Sequence, residues 1–193
     1  MSFQLWQWIL VGVGVTGAVI MARSIRMGTL FQNATAIPDQ FFVSQVSLHG
    51  RVQSVEPDGI LRVSHVPILQ FPFTRGVLES VRVKLAAVGH TEKSISYLQS
   101  DLIGKPVSFK LLGREDPDIA DCIVRFQKGG IAHANLNMYL VRTGRATVQS
   151  NPQLEGIDSY DKLAKKLRLI EQYANRKSVL RWTWDLAWKI KSG

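Results

Sequence analysis

The chain has 193 residues, enough for one domain with appendages and a substantial core, and too few for two independent catalytic domains. Lys and Arg number 24 against 15 Asp and Glu, a formal charge of +9, which attracts phosphate-rich partners without saying whether they are nucleic acid or anionic lipid. A single cysteine, Cys122, excludes an internal disulfide and a multi-thiolate metal site; in the apolar run DCIVRF it reads as a small buried hydrophobe.

Residues 1–4 are a stub before LWQWILVGVGVTGAVIMA at 5–22, which carries no charge and, at ~1.5 Å per residue, spans close to the ~30 Å hydrocarbon core of a bilayer. Trp6 and Trp8 stand where an interfacial belt is expected, and Arg23 and Arg26 follow directly. The expectation is one transmembrane helix with its downstream side in the cytosol or matrix. The rival, a cleaved signal peptide, wants a basic stretch ahead of the apolar run, and there is none. Gly14 with Ala18, and Gly12 with Thr16, place small residues four apart, the spacing that lets membrane helices pair; a homo-oligomer through this helix and a lone anchor both fit.

Residues 23–44 form a juxtamembrane connector broken at Pro38, expected to lie along the membrane surface, and Asn33-Ala34-Thr35 is a glycosylation sequon if that side faces a secretory lumen. The folded domain is expected at 45–150. VSLHGRVQSV, GILRVSHVPI, VRVKLAAVG, PVSFKLLG, DCIVRFQKG and GIAHANLN are strand-like runs separated by turns such as PDG at 57–59 and KGG at 128–130. TEKSISYLQSDLIG places Ile95, Leu98 and Leu102 on one helical face and stops at Gly104; a shorter helix covers Leu136 to Thr143 and closes at Gly144. Three strands, a helix, two or three strands and another helix is the order of a five-stranded OB-type barrel, a mainly β fold with helices.

Residues 156–191 are read as a basic helical tail. Leu163, Leu167, Ile170 and Ala174 make one stripe, Lys165, Lys166 and Arg168 surround it, and Arg181, Trp182, Trp184, Trp188 and Lys189 give a basic, Trp-rich end. Such a helix meets either a membrane interface and a partner or the barrel itself.

The late segment Asn135-Leu136-Asn137-Met138-Tyr139-Leu140-Val141-Arg142-Thr143-Gly144-Arg145-Ala146 resembles the N-x-x-L-V-x-x-G-x-A segment of staphylococcal-nuclease-like (SNase-like) OB domains, and the likeness covers about 46–148. It implies a calcium-dependent nuclease fold in which a strand arginine steadies phosphate and an Asp-Thr-Pro-Glu turn supplies carboxylates. At those positions this chain has Lys84, Gly89, Thr91 and Glu92. The earlier loop reads Asp58-Gly59-Ile60, so the metal-binding Asp after an Asp-Gly is also replaced, and Arg114 and Arg125 lie outside the context of the second arginine. One carboxylate does not both hold calcium and activate water, and Lys lacks the bidentate fork of Arg. The expectation is a catalytically degenerate domain with no metal and no cofactor, in which Glu92 serves the helix N-terminus. His49, His65, His90 and His133 are scattered singly.

ARSIRMGTLFQNATAIPDQF, LHGRVQSVEPDGILRVSHVPI, VKLAAVG and FQKGGIAHANLNMYLVRTGRA more closely resemble an animal family known in humans by a chromosome-3 open-reading-frame name and described as a mitochondrial inner-membrane subdomain organiser. That resemblance implies a non-enzymatic single-pass scaffold of the inner mitochondrial membrane that influences mitochondrial dynamics and division, with a protein partner of that membrane and anionic lipid such as cardiolipin at the tail. A secreted or signalling role in the secretory pathway is the alternative location. Nucleic-acid binding through Arg51, Arg62, Arg82 and Lys84 is the lesser reading, because few aromatics alternate with them; Phe71, Phe73 and Phe109 read as core or loop anchors.

Overall fold

The computed structural model describes residues 31, 33–66, 80–128 and 132–191, with the side chains of 115 and 177–191 left aside. Among the described residues, eight strands and four α-helices follow in chain order: α1 (Asp39–Val43), β1 (Ser47–Val55), β2 (Leu61–His65), β3 (Val81–Leu85), β4 (Val88–His90), α2 (Glu92–Asp101), β5 (Pro106–Asp116), β6 (Ile119–Gln127), β7 (His133–Asn135), α3 (Leu136–Arg142), β8 (Ala146–Val148) and α4 (Asp158–Lys191).

Alternation builds the sheet. In β1 the outward Ser47, His49 and Arg51 alternate with inward Leu48, Gly50 and Val52, and β2 and β3 repeat the pattern with Leu61, Val63, Val81, Val83 and Leu85 in the core. Gly50 leaves no room for a side chain between β1 and β2: a Cβ there would stand 2.5 Å from the Ser64 carbonyl oxygen and from Val63 Cγ1. The strand order is β3-β2-β1-β5-β6-β7, and β3 also pairs in parallel with β6, from Arg82 opposite Ile119 to Leu85 opposite Cys122. The sheet therefore curls until its first strand lies beside its fifth, around a core that includes Phe109, Leu111, Val124 and the fully buried Cys122, whose thiol burial pushes to a pKa well above its ordinary value.

The strand-like run VRVKLAAVG breaks in two. Ala87 takes φ 59, the chain turns, and β4 leaves the main sheet to pair with β8 as a separate two-stranded ribbon. Helix α2 and the residue that caps it seal the core with Leu98 and Leu102, and Gly104 at φ 78 supplies the left-handed residue that ends this segment. In α3, Asn137 is completely buried: Val124 N–H donates to its Oδ1 at 3.0 Å, and its Nδ2 donates to the carbonyls of Ala86 at 2.8 Å and Cys122 at 3.3 Å. One amide thus ties the turn after β3 to β6 and to the helix.

Two expected boundaries move. The connector is not a separate segment from residue 31 onward, because Phe31, Ala34, Ile37, Phe41 and Phe42 join the same buried cluster as the sheet. Arg114 on β5 clamps them: its guanidinium lies 4.5 Å from the Phe42 ring centre, donates to the carbonyls of Ala34 and Ile37, and pairs with Asp39. At the other end, α4 is continuous with the domain. Leu163 and Leu167 are buried, Ile170 and Ala174 half-buried, and Glu171 accepts from the Val148 N–H at 2.8 Å, so the tail's first half packs on α3 and β8. Among the described residues no helix is long and apolar enough to cross a membrane. The expected transmembrane helix at 5–22, with Trp6, Trp8, Gly12, Gly14, Ala18, Arg23 and Arg26, lies outside the described residues.

Candidate functional site

The nuclease-like positions converge on the end of β3, the β4–β8 ribbon and the start of α2. Lys84 lies opposite Asp121, a carboxylate that is almost wholly buried, in the parallel pairing of β3 with β6. Gly89 is the middle residue of β4 and pairs with Thr147; a Cβ on it would meet Thr147 Oγ1 at 2.8 Å and Gln149 Oε1 at 3.4 Å, side chains that bring no carboxylate. Glu92 is exposed on the first turn of α2, where the dipole favours an acid. The cap beside it is complete without it: Thr91 Oγ1 accepts from Ser94 N–H at 3.4 Å, Ser94 Oγ accepts from Thr91 N–H at 2.9 Å, and the Thr91 hydroxyl donates to the Arg145 carbonyl.

The turn Asp58-Gly59-Ile60 reaches this region as well. Gly59 has φ 85 and presses on the His90 ring, which an added Cβ would meet at 2.4 Å, so glycine is required twice over. His90 Nδ1 faces Ser94 Oγ at 3.2 Å, its Nε2 is buried with no hydrogen-bond partner, and burial lowers its pKa. A glycine, an imidazole and a capped helix end thus meet where metal-binding carboxylates would have to stand. Among the described residues no group of three or more His, Cys, Asp or Glu is placed to hold a metal ion.

The cations of the lesser, nucleic-acid reading are engaged within the fold. Arg62 and Arg82 both pair with Glu56, each at 2.7 Å, which holds that carboxyl below its ordinary pKa chiefly through the Arg82 hydrogen bond. Arg51 donates to the Gly104 carbonyl at 2.6 Å. Phe109 is core; Phe71 and Phe73 lie outside the described residues. The aromatic pair Tyr97–Tyr139 is covered by the chain's own cations, with Arg145 4.5 Å from the Tyr97 ring centre and Lys128 4.4 Å from that of Tyr139.

A different site lies on the outer face of β1, β5 and β6, where the start of α4 passes over it. The cavity is about 430 Å³, and Lys110, Arg125, Lys162 and Lys166 line it with no Asp or Glu among the lining residues. Of the tail residues singled out from sequence, Lys166 lies here, Lys165 is exposed, and Arg168 donates to Ser150 Oγ at 2.9 Å. The side chains of Arg181, Trp182, Trp184, Trp188 and Lys189 lie outside the described residues. Sequence reading missed Lys110, Lys162 and the role of Arg125, because only the register of β5 on β6 and the docking of α4 bring them together.

The late Asn-Leu-Val-Gly-Ala segment here forms β7, α3 and the entry to β8, and the turn residues around it occupy the nuclease-like positions. Two curated proteins are similar to this chain: the mouse Protein C3orf33 homolog is 36% identical over 148 residues, and human Protein C3orf33 is 33% identical over 140. This chain is a C3orf33 homologue. The matches cover 73% and 69% of it but 49% and 46% of the mouse and human proteins, so it spans about half the length of the curated C3orf33 relatives it matches. A more distant relative, Endonuclease Htp3 of Saprolegnia parasitica, is 28% identical over 172 residues, covering 80% of this chain and 79% of that protein. No protein-family model matches. Among solved structures, the extended Tudor domain of Drosophila melanogaster Tudor-SN aligns at 12% identity and TM-score 0.37 over 67% of this chain and 71% of that one. Mouse TDRD1 extended Tudor domain TD3 aligns at 9% and 0.34, over 55% and 68%. Scores this low carry no fold assignment, which rests on the strand pairings.

Proposed function

We propose that this C3orf33 homologue is a non-enzymatic, membrane-anchored scaffold built on a degenerate SNase-like OB barrel, acting on subdomains of the inner mitochondrial membrane and on mitochondrial dynamics. The ring of pairings β1-β2-β3-β6-β5 is read as the five-stranded barrel. The observation that best supports the non-enzymatic reading is Gly89, seated in a paired strand where the nuclease pattern needs a metal-binding carboxylate. Without a cluster of oxygen ligands a hard cation has no seat, and without it a phosphodiester has neither an activated water nor a fixed positive charge. The anchor, the inner-membrane location and the protein partner come from the apolar N-terminal run and the family resemblance.

The relationship to Endonuclease Htp3 supports a second reading, a residual nuclease. One experiment separates the two. The full chain incubated with single- and double-stranded DNA and calcium is expected to leave both intact, as is the Glu92→Gln variant. Calcium-dependent cleavage that disappears in Glu92→Gln would replace the scaffold reading with the nuclease one. Location is tested by organelle imaging with protease protection of a C-terminal tag; a glycosidase-sensitive mass at Asn33 would place the domain in the secretory pathway instead.

A further inference from the structure

We infer that the cavity between α4 and the outer face of β1, β5 and β6 is a binding site for a phosphate group carried on a small hydroxylated skeleton, from either a lipid headgroup or a soluble phosphate ester. This inference stands apart from the scaffold reading and uses none of the nuclease-like positions.

The site is assembled from two cross-strand rows and one helix. In the first row Ser47 on β1 lies opposite Lys110 on β5, and Lys110 opposite Ile123 on β6. In the second, Ser108 on β5 lies opposite Arg125 on β6, and Arg125 opposite Asn135 on β7. Alternation puts all of these outside the core, and α4 then passes overhead with Ser159, Lys162 and Lys166 on the cavity side. Lys162 and Lys166 are four residues apart, so they project from one face of the helix toward Lys110 and Arg125.

Four cations converging on one cavity repel one another, and little nearby relieves them. Lys162 pairs with Asp158 at 2.7 Å, but both side chains are about three-quarters exposed, so the pair is weak. Lys110 is held by a neutral group: its Nζ donates to Ser159 Oγ at 2.9 Å, and that hydroxyl donates to Gln45 Oε1. Gln45 itself has φ 50, a left-handed conformation uncommon for a non-glycine residue, fixed by hydrogen bonds of its own N–H to the Phe42 carbonyl and of Val46 N–H to the Phe41 carbonyl. A strained backbone thus orients the side chain that positions Ser159 and Lys110. Charge left uncompensated and held in place in this way is what a dianion would neutralise.

The chemistry favours phosphate over carboxylate. A carboxylate offers two oxygens, whereas a phosphate ester offers three around a tetrahedral centre, matching an Arg fork together with ammonium groups approaching from the opposite wall. The volume of about 430 Å³ exceeds what an inorganic ion needs and lies in the range of small-molecule sites. Its remaining walls suit a carbon skeleton with hydroxyls: Met138 and Leu163 are apolar, and Ser47, Ser108 and Asn135 are donors and acceptors.

The test uses the full chain in phosphatidylcholine nanodiscs, titrated with inorganic phosphate and with glycerol 3-phosphate against sodium chloride of equal ionic strength. Both phosphates are expected to bind and to raise the melting temperature beyond the chloride control, glycerol 3-phosphate the more strongly. Arg125→Ala and Lys166→Ala, both at exposed side chains, are each expected to weaken binding about tenfold with no change in the ligand-free melting temperature, while Lys93→Ala on α2 leaves binding unchanged. Nanodiscs containing phosphatidic acid distinguish the source. A glycerol 3-phosphate affinity about tenfold lower than in phosphatidylcholine means that the lipid headgroup occupies the site, and an unchanged affinity means a soluble ligand. A response no greater than that to chloride, or one that survives both Arg125→Ala and Lys166→Ala, overturns the inference. Oligothymidylate binding through the same two residues, with both phosphate probes silent, overturns it in favour of nucleic acid.

Discussion

At the scale of single residues, the polar groups sealed in this fold carry constraints that apolar residues do not. His65 ends β2 almost fully buried, accepting from Phe31 N–H at 3.4 Å with its ring 5.3 Å from that of Phe31. Burial, with a smaller contribution from His49, lowers its pKa to about 4 from 6.5. Above pH 6.5 the imidazole is neutral in folded and unfolded chains alike, so stability there is independent of it. As pH falls from 6.5 to about 4 the unfolded chain takes up a proton that the folded chain refuses, and stability drops by an amount on the order of 3 kcal/mol. Chemical denaturation at a series of pH values is expected to show that decline, and His65→Leu to flatten it; an unchanged slope in the variant would assign the decline to other groups, His90 among them. Sequence singled out neither histidine as buried, since a lone His in an alternating run looks the same inward or outward. Asn137, by contrast, was legible as part of the Asn-Leu-Val-Gly-Ala segment, although its three hydrogen bonds to Ala86, Cys122 and Val124 needed the folded chain to appear.

At the scale of elements, period was a good guide where the chain is regular and a poor one where aromatics pack from loops. The stripe Leu163, Leu167, Ile170 and Ala174 is the more buried face of α4, as its spacing implies, and Gly104 and Gly144 fall at the expected helix ends with positive φ. The short β4–β8 ribbon was not legible, because three residues are too few to show alternation and the turn at Ala87 interrupts an apolar run with nothing that marks a break. Helix α4 was expected to begin a tail, yet its first five turns are structural. Leu163 and Leu167 fill the core, Tyr160 Oη accepts from Asn151 N–H at 2.6 Å, and Glu171 satisfies β8. Losing either leucine alone costs about 3 kcal/mol by analogy with other buried leucines, a large part of a domain's whole stability. A chain ended after residue 176 is therefore expected to melt at nearly the temperature of the full chain, whereas one ended after residue 156 should lose its cooperative transition. Equal melting of the two would return the whole of α4 to the status of an appendage.

At the scale of the whole molecule, the curled sheet and the segment leading into it share one core, and that changes how an N-terminal anchor would act. Phe31, Ile37, Phe41 and Phe42 are buried in the common core, and Arg114 grips their backbone from β5. TLFQNATAIPDQFF has neither the strand nor the helix period, so from sequence it passed for a linker; its aromatics enter the core from a turn and a helix of five residues. Nine residues lead from 22 to 31, a reach of at most about 30 Å when fully extended. On the anchor reading the domain is consequently held within about one bilayer thickness of the membrane, with no long flexible spacer. The coupling is testable without a membrane. A chain beginning at residue 31 is expected to fold with the melting transition of the full chain, because every described contact is retained. One beginning at residue 45 loses four large buried side chains at about 2–4 kcal/mol each, more than the ~5–15 kcal/mol that usually stabilises a domain can absorb with any margin, and is expected to be unfolded or aggregated. Cooperative melting of the shorter chain near the temperature of the longer would show that residues 31–44 are a connector after all, and would restore the free tether that their burial argues against.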